Sequence, residues 1–452
     1  MKKLGLLISL IAGCAMLFSI SCVGGNSNTN SSANKVISSV LGDETGNTFV
    51  AYRAERSIGD HDIHLQKISP EGTVLWDNTL FTGDDRRADV IGMVSDNNKG
   101  VFIAWEVLAP EDGKEGPQHF DRNIIMKIDA QGQIQRHQDI FEKGMQMVND
   151  GMGGVIVAWA TEDDFRVLRE DGTGSTLWAQ TIISRGTGLK LAAGENGESF
   201  ILWNNRDNPY FVAQKLGADG QILWGQEGMP EGVRIKHLDT ALPPEPQIIS
   251  DGSGGAIVSW AEVTGGEMPS YVWVCWVGDE GQVLNAEPVR ELTSTVNTQI
   301  RVAADRQLGV IVVWEDHRNG MALYAKRNNP LSSFLPPENG VPVCSGLPEV
   351  SPRFEAIGDG KGGVVVAWID SDHKLYAQLL DPFGEKQWGD NGLLIADSLC
   401  DLPVKLSGDP ENGFVLGWCE GTEIHHPGKS YVQKIDAEGN VLWGDDGIKL
   451  KP

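Results

Sequence analysis

The sequence predicts an all-β fold, a single β-propeller of about eight four-stranded blades, with seven blades as the alternative. Three observations support this prediction. A glycine-rich hairpin motif occurs eight times in the 452 residues, a second motif that usually ends in Trp follows it, and short alternating apolar runs separate clusters of Gly, Asp and Asn. Such runs are typical of β-hairpins. Four strands in a period of about 50 residues are typical of a propeller blade.

The first motif is clearest at 250–260, where it reads SDGSGGAIVSW, and close copies occur at 149–159 and 358–368. In seven of the eight copies an Asp stands nine residues before the closing aromatic residue, and the fourth copy has Gly194 instead. An acidic, glycine-rich loop can wrap a calcium ion or turn a hairpin. Its repetition in every unit favours the hairpin, with calcium as the alternative.

Within this turn, Asp251 is expected to hydrogen-bond the turn backbone. Gly254 and Gly255 are expected to supply the positive φ that a tight hairpin needs. The turn is therefore interpreted as part of the propeller scaffold, and functional residues are expected in the loops beyond Trp260.

The strand after the turn alternates, so that Ala256, Val258 and Trp260 share one face while Ile257 and Ser259 share the other. A sheet with two apolar faces must stack against neighbours, and a closed ring removes the exposed ends. We therefore expect the repeated Trp side chains to fill the wedges between adjacent sheets. The structural residues predicted for the two motifs are Asp150, Asp251, Asp359, Trp159, Trp260, Trp368, Trp224 and Trp443.

The second motif is clearest as YVQKIDAEGNVLWGDDG at 431–447, and the sixth unit keeps only LYAKRNN at 323–329. KIDAEGNVLWG at 434–444, with relatives at 215–225 and 67–77, resembles the tryptophan-docking hairpin of quinoprotein-type eight-bladed β-propellers. In that family a Leu-Trp after a glycine turn docks on the next blade. The resemblance implies this role for Trp443, Trp224 and Trp76, with turns at Gly439, Gly220 and Gly72.

The family includes quinone-dependent dehydrogenases and non-enzymatic outer-membrane lipoproteins that scaffold protein assembly. The enzymes carry adjacent cysteines, and no adjacent pair occurs here, so the chain resembles the lipoproteins more. It is also similar to uncharacterised bacterial surface proteins with repeated GGxIVxW and DxxGxxLWG signatures. The resemblance therefore implies a binding or scaffold role.

The first 22 residues, MKKLGLLISLIAGCAMLFSISC, have a basic start, an apolar run and small residues before a cysteine. This arrangement is typical of a secretory signal and resembles a bacterial lipoprotein signal, residues 1–22, in which the cysteine is lipidated. We expect lipidation at Cys22, with Cys14 as the alternative. Residues 23–35 then form a flexible polar tether and residues 36–452 the propeller domain. The expected location is the outer membrane or the cell surface.

The formal net charge of −25 argues against nucleic acid as a partner, since phosphates require clustered Lys and Arg. No other apolar stretch is long enough to span a bilayer, so membrane contact is expected through the N-terminal lipid only. No cofactor is predicted, and calcium or another divalent metal is the alternative. The expected partner is an envelope protein or a surface ligand.

Candidate site residues lie in the loops between second and third strands, which vary greatly in length and collect His and carboxylates. His with carboxylate suits a transition metal, and carboxylates alone suit calcium. The densest cluster is at 60–64, where Asp60, Asp62 and His64 point the same way in an extended chain. Ordinary solvated loops are the alternative. The predicted metal or ligand face comprises Asp60, Asp62, His64, Asp316, His317, Arg318, Asp370, Asp372, His373, His425 and His426.

One disulfide is predicted, between Cys400 and Cys419. If residues 409–413 turn the last hairpin, Cys419 lies opposite about Pro403, close to Cys400. An exported protein is in a setting that permits disulfides. Free buried thiols are the alternative.

The function predicted from these observations is a lipid-anchored propeller that acts as a binding or scaffold module at the bacterial cell envelope. The alternative is a glycan-processing enzyme of glycosidase or sialidase type, acting from the loop side. A sialidase needs three convergent arginines. Arg53, Arg56, Arg122, Arg206 and Arg318 fall in loops of that class. The sequence assigns no catalytic residue and favours a role that is not enzymatic.

Overall fold

The computed structural model describes residues 34–57, 60–83, 86–110, 118–184, 186–206, 210–225, 232–236, 245–262, 270–292, 299–305, 309–317, 320–329, 339–347, 353–397, 404–409, 413–420 and 429–450. These residues form 32 β-strands in eight antiparallel sheets of four, and none of them is helical. The predicted all-β, eight-bladed propeller is confirmed, and the seven-bladed alternative is wrong.

The first four blades contain the first sixteen strands. Blade 1 has β1 Asn34–Gly42, β2 Thr48–Ser57, β3 Asp60–Ile68 and β4 Val74–Phe81; blade 2 has β5 Arg87–Ser95, β6 Val101–Pro110, β7 Gln118–Ile128 and β8 Ile134–Ile140. Blade 3 has β9 Gln146–Asn149, β10 Val155–Ala160, β11 Asp164–Glu170 and β12 Thr176–Ile183; blade 4 has β13 Gly186–Ala193, β14 Ser199–Asn205, β15 Tyr210–Leu216 and β16 Val233–Lys236.

The last four blades contain the other sixteen. Blade 5 has β17 Gln247–Ser250, β18 Ala256–Glu262, β19 Ser270–Val277 and β20 Val283–Leu292; blade 6 has β21 Ile300–Ala304, β22 Val310–Asp316, β23 Ala322–Asn328 and β24 Val341–Ser345. Blade 7 has β25 Phe354–Gly358, β26 Val364–Ile369, β27 Leu375–Leu380 and β28 Leu393–Ala396; blade 8 has β29 Lys405–Asp409, β30 Gly413–Glu420, β31 Lys429–Asp436 and β32 Ile448–Lys449.

The first strands of the eight sheets are neighbours around a ring. β1 contacts β5, β5 contacts β9, and the succession runs through β13, β17, β21 and β25 to β29, which contacts β1. Each sheet contains four consecutive strands in chain order. Among the described strands, therefore, no strand is exchanged between the ends of the chain, and blade 8 closes against blade 1 through side-chain packing and hydrogen bonds.

The core lies between neighbouring blades. Val258 and Trp260 pack with Phe200 of blade 4, whereas Ile257, on the other side of the same strand, packs with Trp314 of blade 6. The alternation in AIVSW thus sends one apolar row to each neighbour. The expected place of the repeated aromatic residues in the wedges follows from this alternation.

The glycine-rich turn differs in one detail from the sequence-based expectation. Asp251 Oδ1 accepts hydrogen bonds from the backbone N–H groups of Ser253 and Gly255, at 2.7 and 2.9 Å. The positive φ angles belong to Gly252 and Gly254, at 77° and 93°, so the assignment of one to Gly255 was wrong. Gly255 is required for space instead, because a Cβ there would lie 2.4 Å from Asp251 Oδ2.

A cation on the third strand pairs with the turn Asp in five blades, a feature that the sequence analysis missed. In blade 1, Lys67 Nζ lies 2.9 Å from Asp43 Oδ2, and both side chains are buried. A loop of variable length separates the two residues along the chain, so no fixed spacing reveals the pair. The other four pairs are Lys127–Asp96, Arg169–Asp150, Arg327–Asp305 and Lys434–Asp409.

Five tryptophans of the second motif dock on the next blade through one hydrogen bond each. The indole Nε1–H donates to a backbone carbonyl two residues before the glycine of the next blade's third-to-fourth-strand turn. The pairs and distances are Trp76 to Ala130, 3.0 Å; Trp178 to Ala218, 2.8 Å; Trp224 to Asp279, 2.7 Å; Trp388 to Ala437, 3.1 Å; and Trp443 to Pro70, 2.8 Å.

A buried glutamine on the third strand holds the docking segment in three blades. In blade 8, Gln433 Oε1 accepts from the Trp443 backbone N–H at 3.0 Å, and Gln433 Nε2 donates to the Gly444 carbonyl at 2.6 Å. The backbone around the tryptophan is thereby satisfied without a strand partner. Gln378 makes the corresponding bonds in blade 7. In blade 4, Gln214 accepts from the Trp224 backbone N–H and donates to the carbonyl of Trp224 itself.

Candidate functional site

The two faces of the ring differ in their loops. We call the face with the first-to-second and third-to-fourth-strand turns the turn face, and the opposite face, with the second-to-third-strand and interblade connections, the loop face. The turn face repeats the Asp turns, buried ion pairs and docked tryptophans described above. The loop face carries the predicted site residues.

The predicted cluster at 60–64 acts mainly in architecture. Asp62 is buried, its Oδ1 accepts from the Gly83 backbone N–H at 3.1 Å, and its Oδ2 lies 2.7 Å from Arg56 Nε. These contacts fasten the start of β3 to the connection between blades 1 and 2. Asp60, at the first position of β3, is half-buried.

His64 belongs to a repeated aromatic stack. Its ring lies parallel to Tyr52, with centroids 4.9 Å apart, and its Nδ1 lies 3.2 Å from Thr79 Oγ1. The same cross-strand position holds an aromatic ring stacked on the motif aromatic in blades 5, 6, 7 and 8. These pairs are Trp260–Trp273, Trp314–Tyr324, Trp368–Tyr376 and Trp418–Tyr431. Burial lowers the pKa of His64, so the ring stays neutral at neutral pH.

The predicted residues of blade 7 form one hairpin. Asp370 Oδ1 accepts from the backbone N–H groups of Asp372 and Lys374, both at 2.9 Å. His373 has a φ of 59°, in the left-handed region, and is exposed, as is Asp372. Asp370 is thus a turn residue, while Asp372 and His373 project from the loop face.

The predicted residues of blade 6 lie at the end of β22. Asp316 is buried and its Oδ2 accepts from Trp314 Nε1 at 3.1 Å, and His317 is half-buried. Between Trp314 and Asp316 lies Glu315, which the sequence analysis did not single out. The residues Cys22, Cys400, Arg318, His425 and His426 fall outside the described residues.

No group of three or more His, Cys, Asp or Glu side chains close enough to hold a metal ion occurs in the described part of the chain. Asp62 and His64 bond to protein groups instead. The expectation about calcium or another divalent metal stays a prediction.

Five arginines meet at the loop-face ends of blades 1 and 2. Arg53 Nη1 lies 2.5 Å from Asp89 Oδ1 across the two blades. Asp121 Oδ2 lies 2.5 Å from Arg122 Nη1 and 3.8 Å from Arg86 Nη1. We call this group the blade 1–2 arginine cluster; its members are Arg53, Arg56, Arg86, Arg87 and Arg122.

A buried histidine lies inside this cluster. His61 Nδ1 accepts from the Ala88 backbone N–H at 3.3 Å, and the His61 backbone N–H donates to the Arg86 carbonyl at 3.0 Å. Burial, with Arg53 and Arg87 nearby, lowers the pKa of His61 to about 3. The neutral imidazole therefore adds no charge, and the arginines supply the positive potential of the cluster.

Arg87 is the member that points most clearly to a ligand. Its Nε is buried, and within the described ranges this atom has no hydrogen-bond partner. A guanidinium presents five N–H donors in a planar fork that matches carboxylate and phosphate. Arg86 and Arg87 are the only adjacent arginines in the chain, a signal in the sequence that the search of second-to-third-strand loops passed over.

The sialidase arrangement finds limited support in these positions. Of the arginines named for it, Arg53, Arg56 and Arg122 belong to the cluster, where they pair with three different carboxylates, those of Asp89, Asp62 and Asp121. Arg206 follows β14 in blade 4 and is exposed. Three of the five arginines named for a sialidase therefore lie on the adjacent blades 1 and 2.

A second polar group lies at blades 6 and 7. Arg301 Nε and Nη2 bind Glu355 at 2.9 and 3.1 Å, and Arg301 also covers the ring of Phe354. Burial raises the pKa of the nearby Glu315 to about 7. Glu315 Oε1 is buried and lacks a hydrogen-bond partner in the described ranges. Such a carboxyl can hold a proton near neutral pH.

Cys419 lies where blades 8 and 1 meet. Its Sγ is 3.7 Å from the Lys35 carbonyl oxygen and 3.3 Å from Ser430 Oγ, which donates to the same carbonyl at 2.7 Å. Because Cys400 is outside the described residues, the disulfide stays a prediction. Lys434 Nζ also donates to the Gly46 carbonyl at 3.0 Å. Blade 8 is thus bonded to blade 1 through Lys434, Ser430 and Trp443.

No protein-family model and no curated protein matches the chain. Among solved structures, the BP39L lectin from Burkholderia pseudomallei is similar over 77% of this chain and 95% of its own, with 12% identity and a TM-score of 0.48. The β-propeller domain of the Trilobed protease from Pyrococcus furiosus is similar over 77% and 94%, with 12% identity and a TM-score of 0.43.

A polysaccharide lyase of family PL25, an ulvan lyase, is similar over 76% of this chain and 94% of its own, with 10% identity and a TM-score of 0.46. None of these similarities assigns a ligand or an activity to the chain. The resemblance to quinoprotein-type propellers stays a prediction beyond the shared fold. In the described residues, no helix is long and apolar enough to cross a membrane.

Proposed function

We propose that this protein is an exported, lipid-anchored propeller that binds a partner protein or surface ligand of the bacterial cell envelope through its loop face. The observation that carries the proposal is the blade 1–2 arginine cluster. Arg87 offers a guanidinium with a buried, unbonded Nε within the described residues. Arg53 lies near the same buried His61 and pairs with Asp89 through one nitrogen.

The contrast between the faces supports this assignment. On the turn face, cations are paired with buried Asp side chains and thereby committed to the fold. In the arginine cluster, the carboxylates Asp89 and Asp121 are partly exposed, and so are Arg56 and Arg86. Exposed ion pairs contribute little to stability, so a cluster of them on a rigid scaffold is available for recognition.

The lipid anchor is part of the proposal and has its own test. Cys22→Ala is expected to release the protein from the membrane fraction, whereas Cys14→Ala leaves it bound. The measurement is fractionation of envelopes with detection of the propeller. Release by Cys14→Ala alone would assign the lipid to the other cysteine, and retention of both variants would contradict the anchor.

The binding site is tested by crosslinking and pull-down of the tethered protein from its native envelope. We expect wild type to recover a partner or ligand that Arg53→Ala/Arg87→Ala loses by at least tenfold. The control Lys99→Ala/Lys361→Ala removes two positive charges from the turn face and is expected to retain recovery. Equal recovery by both double variants would overturn the assignment, and so would recovery of nothing by wild type.

A second candidate, a glycan-cleaving activity, is favoured by Glu315 alone. A general acid needs a raised pKa, and burial raises that of Glu315 to about 7. Arg301 and Glu355 lie on the adjoining first strands of blades 6 and 7. Hydrolysis of neutral and acidic oligosaccharides that Glu315→Gln abolishes, and that declines above about pH 7, would support it. Hydrolysis unchanged in that variant would reject this role.

A further inference from the structure

The five docked tryptophans define what the third-to-fourth-strand turns of this ring bind. Each turn has a glycine at positive φ, and the indole lies against that glycine. A Cβ added at Gly439 would be 2.7 Å from Trp388 Cδ1, and one at Gly220 would be 2.7 Å from Trp178 Cδ2. The glycine therefore makes room for an indole, whose N–H reaches the carbonyl two residues earlier.

Blade 7 has the same turn without the indole. The Gly384 backbone N–H donates to the Asp381 carbonyl at 2.9 Å, and Gly384 has a φ of 83°, as Gly220 does. The side chain beside it is Val341, whose Cγ2 would lie 3.3 Å from an added Cβ. Pro382 holds the position of the accepting carbonyl.

A small open cavity lies at this turn. Its described lining includes Lys326, Gly340, Val341, Pro382 and Phe383. Phe383 is 74% exposed, the most exposed of the large apolar side chains described. The cavity thus has apolar walls and lies on the turn face, opposite to the arginine cluster.

The sequence explains why the indole is missing from blade 6. Ala325 pairs with Val341 in blade 6, and Ala377 pairs with Leu393 in blade 7, so the two connections have equal length. The residue of blade 6 that corresponds to Trp388 is then Pro336, which lies outside the described residues. Proline has neither an aromatic ring nor an N–H donor.

A second copy of the chain is a poor source of the indole. All 14 tryptophans fall within the described residues, and none is exposed. Each tryptophan already packs within its own chain, so inserting one into another copy would remove it from its own packing site. An indole bound at this turn would therefore come from another protein.

We infer that the slot formed by Gly384, Pro382, Phe383 and Val341 binds a tryptophan side chain presented by an extended segment of a partner protein. The ring would stack over Gly384 between Val341 and Phe383, and its N–H would donate to the Pro382 carbonyl. This repeats the contact that five blades make within the chain. The inference concerns a second surface and does not depend on the proposed loop-face function.

The probe is the nonapeptide GNVLWGDDG, which copies residues 439–447. We expect saturable binding to the full chain, measured by isotope-edited NMR or by fluorescence anisotropy of a labelled peptide. The same peptide with Leu in place of Trp is expected to bind at least tenfold more weakly. Arg53→Ala/Arg87→Ala is expected to bind the probe as wild type does, which separates this site from the loop face.

Two variants address the slot. Val341→Trp places an indole in it from the neighbouring strand, and Pro336→Trp restores the motif of the other blades; each is expected to lower probe affinity at least tenfold. Pro336→Trp is also expected to raise the melting temperature, so a folded protein with a filled slot can be recognised. Phe383→Ala is expected to weaken binding several-fold.

Equal binding of the Trp and Leu peptides would overturn the inference. So would a wild type that binds neither peptide. Undiminished binding by both Val341→Trp and Pro336→Trp would place the peptide elsewhere and would also overturn it.

Discussion

The turn face and the loop face of this ring use the same residue types in opposite ways. Lys67 on the turn face is buried, and its ammonium is already bound by the Asp43 carboxylate and by the Lys99 carbonyl. Arg56 on the loop face is 42% exposed although it also pairs with an Asp. The cations that pair with the turn Asp in five blades are thus committed to folding, whereas the partly exposed arginines of blades 1 and 2 are available for recognition.

The same contrast applies to aromatic residues. Trp388 and Trp443 fill slots on the following blade, where an N–H bond fixes the ring. Blade 2 places Arg136 against Gly174 instead and pairs it with the buried Glu170. The docking position can therefore carry an arginine in place of a tryptophan while the blade still forms. In blade 6 the corresponding position has no tryptophan.

The largest effect is expected from breaking a turn-face ion pair. Arg169→Met leaves Asp150 charged and buried and also removes the bond from Arg169 to the Ala218 carbonyl at 2.8 Å. We expect the free energy of unfolding to fall by about 3–5 kcal/mol, measured by guanidinium denaturation. Asp150→Asn/Arg169→Met should recover part of the loss. A loss below about 1 kcal/mol would show that the turn-face ion pairs stabilise the fold no more than the exposed pairs of the loop face do.

A pH effect of similar size is expected from Glu315. Its folded pKa, about 7, lies above the ordinary value of 4.5, so the folded state binds the proton more tightly than the unfolded state does. The stabilisation is complete below about pH 4.5 and is lost as pH rises through 7, by roughly 3 kcal/mol. Glu315→Gln should remove this dependence in denaturation at several pH values, and exposed Glu195→Gln should keep it.

A smaller loss is expected from the glutamine that holds a docked tryptophan. Gln433→Leu leaves the Trp443 N–H and the Gly444 carbonyl without partners, and should lower the free energy of unfolding by about 2 kcal/mol. Gln387→Leu changes an exposed glutamine next to Trp388 and should have an effect within about 0.5 kcal/mol. Thermal and chemical denaturation compare the two. Equal losses of stability in the two variants would contradict the role of Gln433 in holding the backbone around Trp443.

The smallest effect is expected on the loop face. Arg56→Met removes a half-exposed partner of Asp62, which keeps its bond from the Gly83 N–H. We expect the free energy of unfolding to change by about 1 kcal/mol or less. A loss as large as that of Arg169→Met would show that the arginine cluster holds the ring together.

The fold could be predicted from the sequence because the signals are local and repeated. An Asp nine residues before an aromatic residue marks seven of the eight hairpins, and alternation in AIVSW fixes which side chains face which blade. The cations of the third strand were missed because loops of different length separate Lys67 and Lys434 from Asp43 and Asp409. Their partners are fixed by the register of the sheet, not by spacing in the chain.

The candidate site could be predicted only in part. His64 was expected to bind a ligand because it lies near two Asp residues, yet IHLQK aligns with SYVQK, and the His takes the place of Tyr431 in the aromatic stack. Arg86 lies in the connection between blades 1 and 2, and it meets Arg122 of β7 only because both arginines pair with Asp121. Such convergence is tertiary, and no local pattern contains it.

The closure of the ring without a shared strand has a consequence for the order of the blades in the chain. Every blade is a complete cassette of four consecutive strands, and Lys35 at the start bonds to Ser430 near the end. A chain in which residue 450 is linked to residue 34 and new termini are opened between Phe81 and Arg87 would contain the same eight sheets. The sequence therefore specifies the cyclic order of the blades, and the fold does not depend on which blade comes first in the chain.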